Sequence, residues 1–255
     1  MSAKRRSELM QIVRGTGSCS ITELAVRLGV STETIRRSIE PLIAEGELLR
    51  FHGGVMVPER AEEPPFQRRM QVNREAKLAI ARLVAARIED GDSLFLDNGT
   101  TSAYVADALT ARARLTIVTH SAHIAYRLAS RNGNRVFMAG GELGGEDAAA
   151  FGASAIAFIG QFKLRYALLS VGAITSDGAL ADFHLFEAEF SRAAMAQAEQ
   201  TWVIADHSKF GREASVTVCP LAAVDAIVTD LPPPDSFIAQ CAAAEVAILL
   251  PEGRG

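Results

Sequence analysis

The chain has 255 residues, enough for one large domain or for a small one beside a medium one. Hydrophobic residues make up 49% and charged residues 22%, an ordinary balance for a globular protein with a full core, and no apolar run reaches the roughly 18 residues that a membrane-spanning helix needs. The net charge of −4 hides an asymmetry: residues 1–56 carry eight Lys/Arg against six acids, a net of +2, which leaves −6 on the rest. A slightly basic head permits a nucleic-acid contact at one end, although +2 alone does not argue for it.

The basic start, MSAKRRSELMQ, lacks the apolar segment of a secretory signal, so the expected location is the cytoplasm. Residues 4–14 read as a helix around Leu9, Ile12 and Val13, and 15-GTGSC-19 as a breaker-rich loop. In 20-SITELAVRL-28, Ser20 followed by Glu23 fits a reciprocal capping box, and Ile21, Leu24, Ala25 and Leu28 share one face. Gly29 ends this helix. Ser31 or Thr32 caps the next, which runs to about Glu45. At about 100° per residue, Ile39, Leu42 and Ile43 cluster near Ile35. Arg37 falls on the opposite side with Glu33 and Glu40, and Arg36 on the flank. The two helices and their tight turn form a helix-turn-helix, and 48-LLRFHGGVMV-57 reads as a wing. Pro41 costs its helix about 3 kcal/mol if unrelieved, so a bend or an early end is expected there.

Residues 58–75, PERAEEPPFQRRMQVNRE, hold three prolines and many charges and read as a linker that is ordered in part. From 76 the pattern alternates. A helix over 76–88 precedes strands at 93–97, 115–119, 135–139, 166–172, 201–206, 224–230 and 245–250, with helical patterns between most of them. Short, nearly all-apolar strands separated by helices mean an α/β fold with a parallel sheet covered on both faces. Ligands of such sheets bind at the C-terminal strand ends. The expected organisation is a winged helix-turn-helix over 1–57, a linker over 58–75 and a parallel-sheet domain over 76–255.

The strand ends carry the chemistry. In 97-DNGTTSAYVADAL-109 a buried strand leads through Gly99, two threonines and a serine into a helix. Glycine lets backbone N–H groups approach an anion, the hydroxyls add donors, and the helix N-terminus is partly positive. This is a phosphate cradle without the lysine of a P-loop; ordinary capping by Thr or Ser is the alternative. Similar turns follow at 119-THSAHIAYRLA-129 and at 140-GGELGG-145, where glycines allow close backbone approach. In 172-GAITSDGALADFHLFEAEFSRAAM-195, Asp182, Glu187 and Glu189 lie near a helix start. In 206-DHSKFGR-212, Lys209 can reach a phosphate, or be a solvated loop charge with Asp206 and His207 as caps. Among His52, His120, His123, His184 and His207, only His120 and His123 have a spacing that could ligate a metal, and a pocket-rim position for one of them is the simpler reading. Cys19, Cys219 and Cys241 are odd in number and far apart, so idle thiols are expected. No G-x-S-x-G nucleophile elbow occurs.

The segment 31-STETIRRSIEPL-42 with 50-RFHGG-54 resembles the winged helix-turn-helix of DeoR-type bacterial transcriptional regulators. The later DNGTT, AGGEL and DHSKFG resemble the C-terminal sensor domain of that family, which is similar in fold to ribose-5-phosphate isomerase. The motifs run in matching order over essentially the whole chain. FIGQFKLRYAL, ADHSKFGR and TDLPPP look closest to glycerol-3-phosphate repressors of the family. There are departures. Ser38 stands where the family usually has the aspartate of T-I-R-R-D, which removes a negative charge expected near the DNA face. Pro41 is unusual. THS replaces T-N-S or T-N-N, so His120 is expected to change pocket polarity. The acidic pattern at 173–177 does not reproduce the paired aspartates of the isomerase, which argues against retained catalysis.

The resemblance implies a DNA-binding repressor of a sugar or polyol catabolic operon, not an enzyme. It would act on double-stranded operator DNA as a homodimer or homotetramer, without cofactor, metal or membrane. A phosphorylated sugar or polyol would release it, with glycerol-3-phosphate the first choice. Expected DNA contacts are Thr32, Thr34, Arg36, Arg37, Ser38 and, on the wing, His52, with Lys4, Arg5 and Arg6 on the backbone. Expected effector contacts are Asp97, Gly99, Thr100, Thr101, Ser121, Gly140, Gly141, Gly172, Glu187 and Lys209. Two rivals stand beside it. One is a sugar-phosphate isomerase-like enzyme fused to a helix-turn-helix, with Glu187, Glu189 and Lys209 as acid and base groups. The other is a constitutive DNA-binding protein whose large domain only oligomerises.

Overall fold

The computed structural model describes residues 3–16, 18–44, 47–51, 53–56, 65–144 and 147–251. The chain divides into two compact units, residues 1–62 and 63–255.

The first unit runs α1 (Ala3–Thr16), β1 (Ser18–Ser20), α2 (Ile21–Leu28), α3 (Thr32–Ala44), β2 (Leu49–Phe51) and β3 (Gly54–Met56). Part of the stretch expected as a loop at 15–19 is strand: β1 joins the wing as an antiparallel sheet of order β1-β3-β2. The Ser20 hydroxyl accepts from the Glu23 N–H at 3.1 Å, but Glu23 does not reach back. Its carboxylate accepts from Arg27 one turn on, at 2.7 Å, so only half of the capping box forms. Gly29, at φ 63°, closes α2 by donating to the Ala25 and Val26 carbonyls. Ser31 caps α3 by accepting from the Thr34 N–H at 3.2 Å.

Leu9, Val13, Leu24, Ile35, Ile39, Leu42, Leu48 and Val55 are fully buried between these elements. Each such side chain contributes about 1.5–3 kcal/mol. That explains why α3 runs through Pro41 to Ala44 instead of ending early. Ile39 and Leu42 on either side of the proline hold both halves of the helix on one core.

The second unit opens with α4 (Phe66–Gln71) and α5 (Arg74–Arg87), so residues 65–75, assigned from sequence to a linker, are largely helical. Phe66 is buried, and the Tyr104 hydroxyl donates to the Met70 carbonyl at 2.8 Å. Lys77 lies on α5, only 4% exposed. Its ammonium donates to the Arg69 and Val72 carbonyls, at 2.5 and 2.8 Å, and so closes the C-terminal end of α4. Bonds from a charged donor to carbonyls at a helix C-terminus contribute about 1.5–3 kcal/mol each. Lys77→Met should therefore lower the stability of this unit by about 2–3 kcal/mol in urea titrations; an unmoved midpoint would mean that the two bonds contribute nothing net.

The chain continues through β4 (Ser93–Leu96), α6 (Thr100–Leu109), β5 (Thr116–Thr119), α7 (Ala122–Leu128), β6 (Arg135–Met138), β7 (Leu143–Gly144), β8 (Ala149–Ala150), α8 (Ala153–Ile159) and β9 (Leu164–Leu169). Then come β10 (Ala173–Ile174), β11 (Leu180–Asp182), α9 (Leu185–Met195), β12 (Ala198–Ile204), β13 (Val216–Cys219), β14 (Ala226–Val228), α10 (Asp235–Ala243) and β15 (Ala247–Leu249), with short 3-10 turns at His207–Lys209 and Leu221–Ala223. All seven strands read from the sequence join one parallel sheet, of order β15-β14-β12-β9-β4-β5-β6. Its two faces are packed by separate apolar clusters, one around Leu94, Leu96, Ile117 and Leu168, the other around Phe95, Val118, Ala167 and Leu169. The alternation along β4 follows from strand geometry, since successive side chains point to opposite faces. The small antiparallel sheet β10-β11-β13 and the hairpin β7–β8 were not foreseen. Cys19, Cys219 and Cys241 are free and buried, and burial pushes the Cys219 thiol up to about 11.

Candidate functional site

From β4 the chain winds outward through β5 and β6. It then returns to the other side of β4 with β9 and winds away through β12, β14 and β15. The direction of winding reverses between β4 and β9, and it is at such a reversal, outside the carboxyl ends of the strands, that open sheets of this kind bind their ligands.

Asp97 sits at that reversal, buried directly after β4. One carboxylate oxygen accepts from the Gly99 N–H at 3.1 Å and from the Ser102 hydroxyl. The other accepts from the N–H and the hydroxyl of Ser170, just past β9, at 2.6 and 2.8 Å. Burial raises the Asp97 pKa, against the downward pull of these four donors. One carboxylate thus staples the turn before α6 to the end of the neighbouring strand. Gly99 is the tight spot: a Cβ there would lie 1.7 Å from the Ser170 hydroxyl oxygen. The turn leaves Thr100 and Thr101, both buried, as the first residues of α6, where the leading N–H groups have no carbonyl within the helix to bond.

Ser121 is buried at the head of α7, and its hydroxyl caps that helix by accepting from the Ile124 N–H at 3.4 Å. Gly172, after β9, is closely approached by side chains: a Cβ there would lie 2.8 Å from the Phe183 ring and 2.9 Å from an Asp182 carboxylate oxygen. The Gly172 carbonyl accepts from the Lys209 ammonium at 3.5 Å, so these two expected contacts come together. Glu187, half-buried, stands in the first turn of α9. Gly140 and Gly141, after β6, are both exposed, and a Cβ on Gly140 would meet open space. Asp177, from the acidic stretch 173–177, is exposed in the turn between β10 and β11 and bonds to the Thr175 hydroxyl. His120 and His123 face different surroundings. His120 is buried among Phe95, Phe151 and Phe190, whereas His123 is exposed and meets Phe66.

Other participants were missed. Ser170 was one small residue after an apolar run. Asn98 lies inside the quoted turn, where it joins Asp147 to His120. Asn73, at φ 51° between α4 and α5, donates to Asp206 at 2.9 Å and to the Ser208 hydroxyl at 3.1 Å. Burial would raise the Asp206 pKa, but bonds from Ser208 and Asn73 and the charge of Lys209 outweigh it and leave it lowered.

On α3, Arg36 and Arg37 are exposed, Arg37 to 82% of its side chain, and Glu33 is their neighbour at 4.0 and 3.5 Å. Thr32 is exposed, and the half-buried Thr34 shares a hydroxyl–hydroxyl bond with Ser31 at 2.9 Å. Ser38 departs from expectation: only 5% is exposed, so it faces the interior of the unit and not an outside partner. Arg6 pairs with Glu47 at 2.9 Å. His52 and the side chains of Lys4 and Arg5 lie outside the described residues.

Residues 5–61 match the DeoR-like helix-turn-helix domain, and residues 72–231 match the DeoR C terminal sensor domain. The glycerol-3-phosphate regulon repressor of Escherichia coli (strain K12) is 37% identical over 92% of this chain and 93% of its own. The HTH-type transcriptional repressor CsqR of the same organism is 36% identical over 97% of this chain and 95% of its own. Among solved structures, a D-ribose-5-phosphate isomerase in complex with phospho-erythronic acid is 15% identical over 54% of each chain, with a TM-score of 0.39. With both domain matches in order and full-length relatives that are repressors, the chain belongs to the DeoR family of transcriptional regulators.

Proposed function

We propose that the C-terminal unit binds a phosphorylated polyol or sugar, glycerol-3-phosphate first, and that binding releases the repressor from its operator. The stapled turn at Asp97 carries this reading: four donors converge on one buried carboxylate, and the order they impose holds the start of α6 at the reversal. A phosphate there would meet the N–H groups and hydroxyls of Thr100 and Thr101, with Lys209 beside Gly172 as the nearby cation. The choice of glycerol-3-phosphate draws on the repressors of that name that the chain resembles. Calorimetry on the wild type tests it: glycerol-3-phosphate should bind and glycerol should not. Equal binding of both would remove the phosphate from the reading, and binding of neither would remove glycerol-3-phosphate as the effector.

In the N-terminal unit, α3 enters the major groove, and Arg36 and Arg37 exchange their exposed pairing with Glu33 for phosphates or base edges. Exposed pairs of this kind contribute little, so the exchange costs little. Arg37→Ala should weaken operator binding by about 1–3 kcal/mol if the contact is bidentate to a guanine. A gel-shift titration with unchanged affinity and an intact circular-dichroism spectrum would take Arg37 out of the interface.

One such unit has too small a footprint for tight specific binding alone, so the working form is a homodimer or homotetramer on repeated half-sites. Sedimentation should show an oligomer, and a monomer both free and on DNA would contradict it. The effector would shift the oligomer between DNA-competent and incompetent populations.

A further inference from the structure

We propose that His120 presents a bare Nδ1 acceptor to a hydroxyl of the effector, which makes the site selective for phosphorylated polyols and sugars over phosphorylated carboxylic acids. The proposal rests on the effector reading above and assigns a residue to the part of the ligand that is not phosphate.

The tautomer follows from a chain of three side chains. Asp147, when ionised, offers only acceptors, so the amide nitrogen of Asn98 points to it. The Asn98 carbonyl oxygen therefore faces His120, whose Nε2 lies 3.1 Å away and must carry the proton. Nδ1 is left as an acceptor, and it is buried without a hydrogen-bond partner. The residue is 2% exposed, with Phe95 stacked at 5.7 Å, Phe151 at 5.0 Å and Phe190 at 4.1 Å between ring centres. None of these rings can donate to it. Burial lowers the imidazole pKa to about 3, so the ring stays neutral and Nδ1 stays an acceptor.

Position ties this acceptor to the reversal. Asn98 immediately precedes Gly99, and His120 immediately follows the adjacent strand β5. A ligand whose phosphate sits at Thr100 and Thr101 extends past Asn98 towards His120. A hydroxyl group can donate to Nδ1. A carboxylate has no proton to give. Phe151, half-buried between His120 and the exposed Phe186, is the part of the cover that must turn for a hydroxyl to arrive.

The test uses the full chain and calorimetry with glycerol-3-phosphate, ribitol 5-phosphate, 3-phosphoglycerate and inorganic phosphate. The wild type should bind one of the two polyol phosphates about 10-fold or more tighter than 3-phosphoglycerate and inorganic phosphate, the value of one hydrogen bond to an otherwise unmet acceptor. His120→Phe should abolish that preference and leave inorganic phosphate unchanged. A preference that survives in His120→Phe overturns the inference and leaves the effector reading standing, whereas a wild type that binds none of the probes overturns both. Should His120→Phe not fold, nitrogen NMR on the wild type decides. The Nδ1 resonance should be that of an unprotonated, unbonded nitrogen and should move upfield at saturation with the polyol phosphate; a resonance that does not move overturns the inference.

Discussion

Gly99→Ala should destabilise the C-terminal unit by about 3 kcal/mol or more and abolish effector binding. The backbone is not the obstacle: Gly99 has φ −69° and ψ 159°, which alanine adopts freely. The obstacle is Ser170, whose Oγ and Cβ would lie 1.7 and 2.7 Å from the new methyl group. Rotating the serine removes the first clash at the cost of its bond to Asp97, but the second remains, so β4 or β9 must give way. Overpacking of this kind costs about 1–3 kcal/mol, and a lost bond to a buried carboxylate about as much again. The double variant Gly99→Ala, Ser170→Gly removes both clashing atoms and should recover part of the loss. Urea unfolding of both variants measures the coupling. Two losses that simply add would place the damage elsewhere.

Thr101→Val should weaken a polyol- or sugar-phosphate effector roughly 10- to 100-fold. Valine keeps the shape of a buried side chain in the first turn of α6 and removes one donor. A charge-assisted bond contributes about 1.5–3 kcal/mol, and each 1.4 kcal/mol is about tenfold in affinity. DNA binding without effector should barely change, because the turn belongs to the C-terminal unit. In a reporter assay the variant should then stay on its operator when the wild type lets go. Calorimetry checks the cause, and equal affinity of variant and wild type would dismiss the phosphate cradle.

The seven parallel strands were legible because each is buried on both faces and reads as an apolar run that needs no period. The pieces β7, β8, β10 and β11 are two or three residues long and carry no pattern to find. Ser38 was legible and misplaced. The same step of about 100° that turns Arg37 outward puts Ser38 only about 60° from Ile35, on the core side; the recognition motif, not the geometry, drew it to the DNA face. Asp97 was read as a ligand contact from its place in the turn. Its partner Ser170 is 73 positions away, and no local pattern links them. Alternation and capping are local signals, whereas a staple between strands exists only once the topology is known.

That staple also sets an order of events on the ribosome. The neighbour of β4 on one side, β5, emerges soon after it, but β9 and Ser170 come only after β5, β6 and the β7–β8 hairpin. At about 5–20 residues per second, the 73 positions take roughly 4–15 seconds of synthesis. Throughout that interval Asp97 lacks the two Ser170 donors, and the turn before α6 has only its local bonds from Gly99 and Ser102. The helix-turn-helix of a nascent chain is therefore synthesised well before this staple can close, and a fragment ending short of Ser170 would lack it.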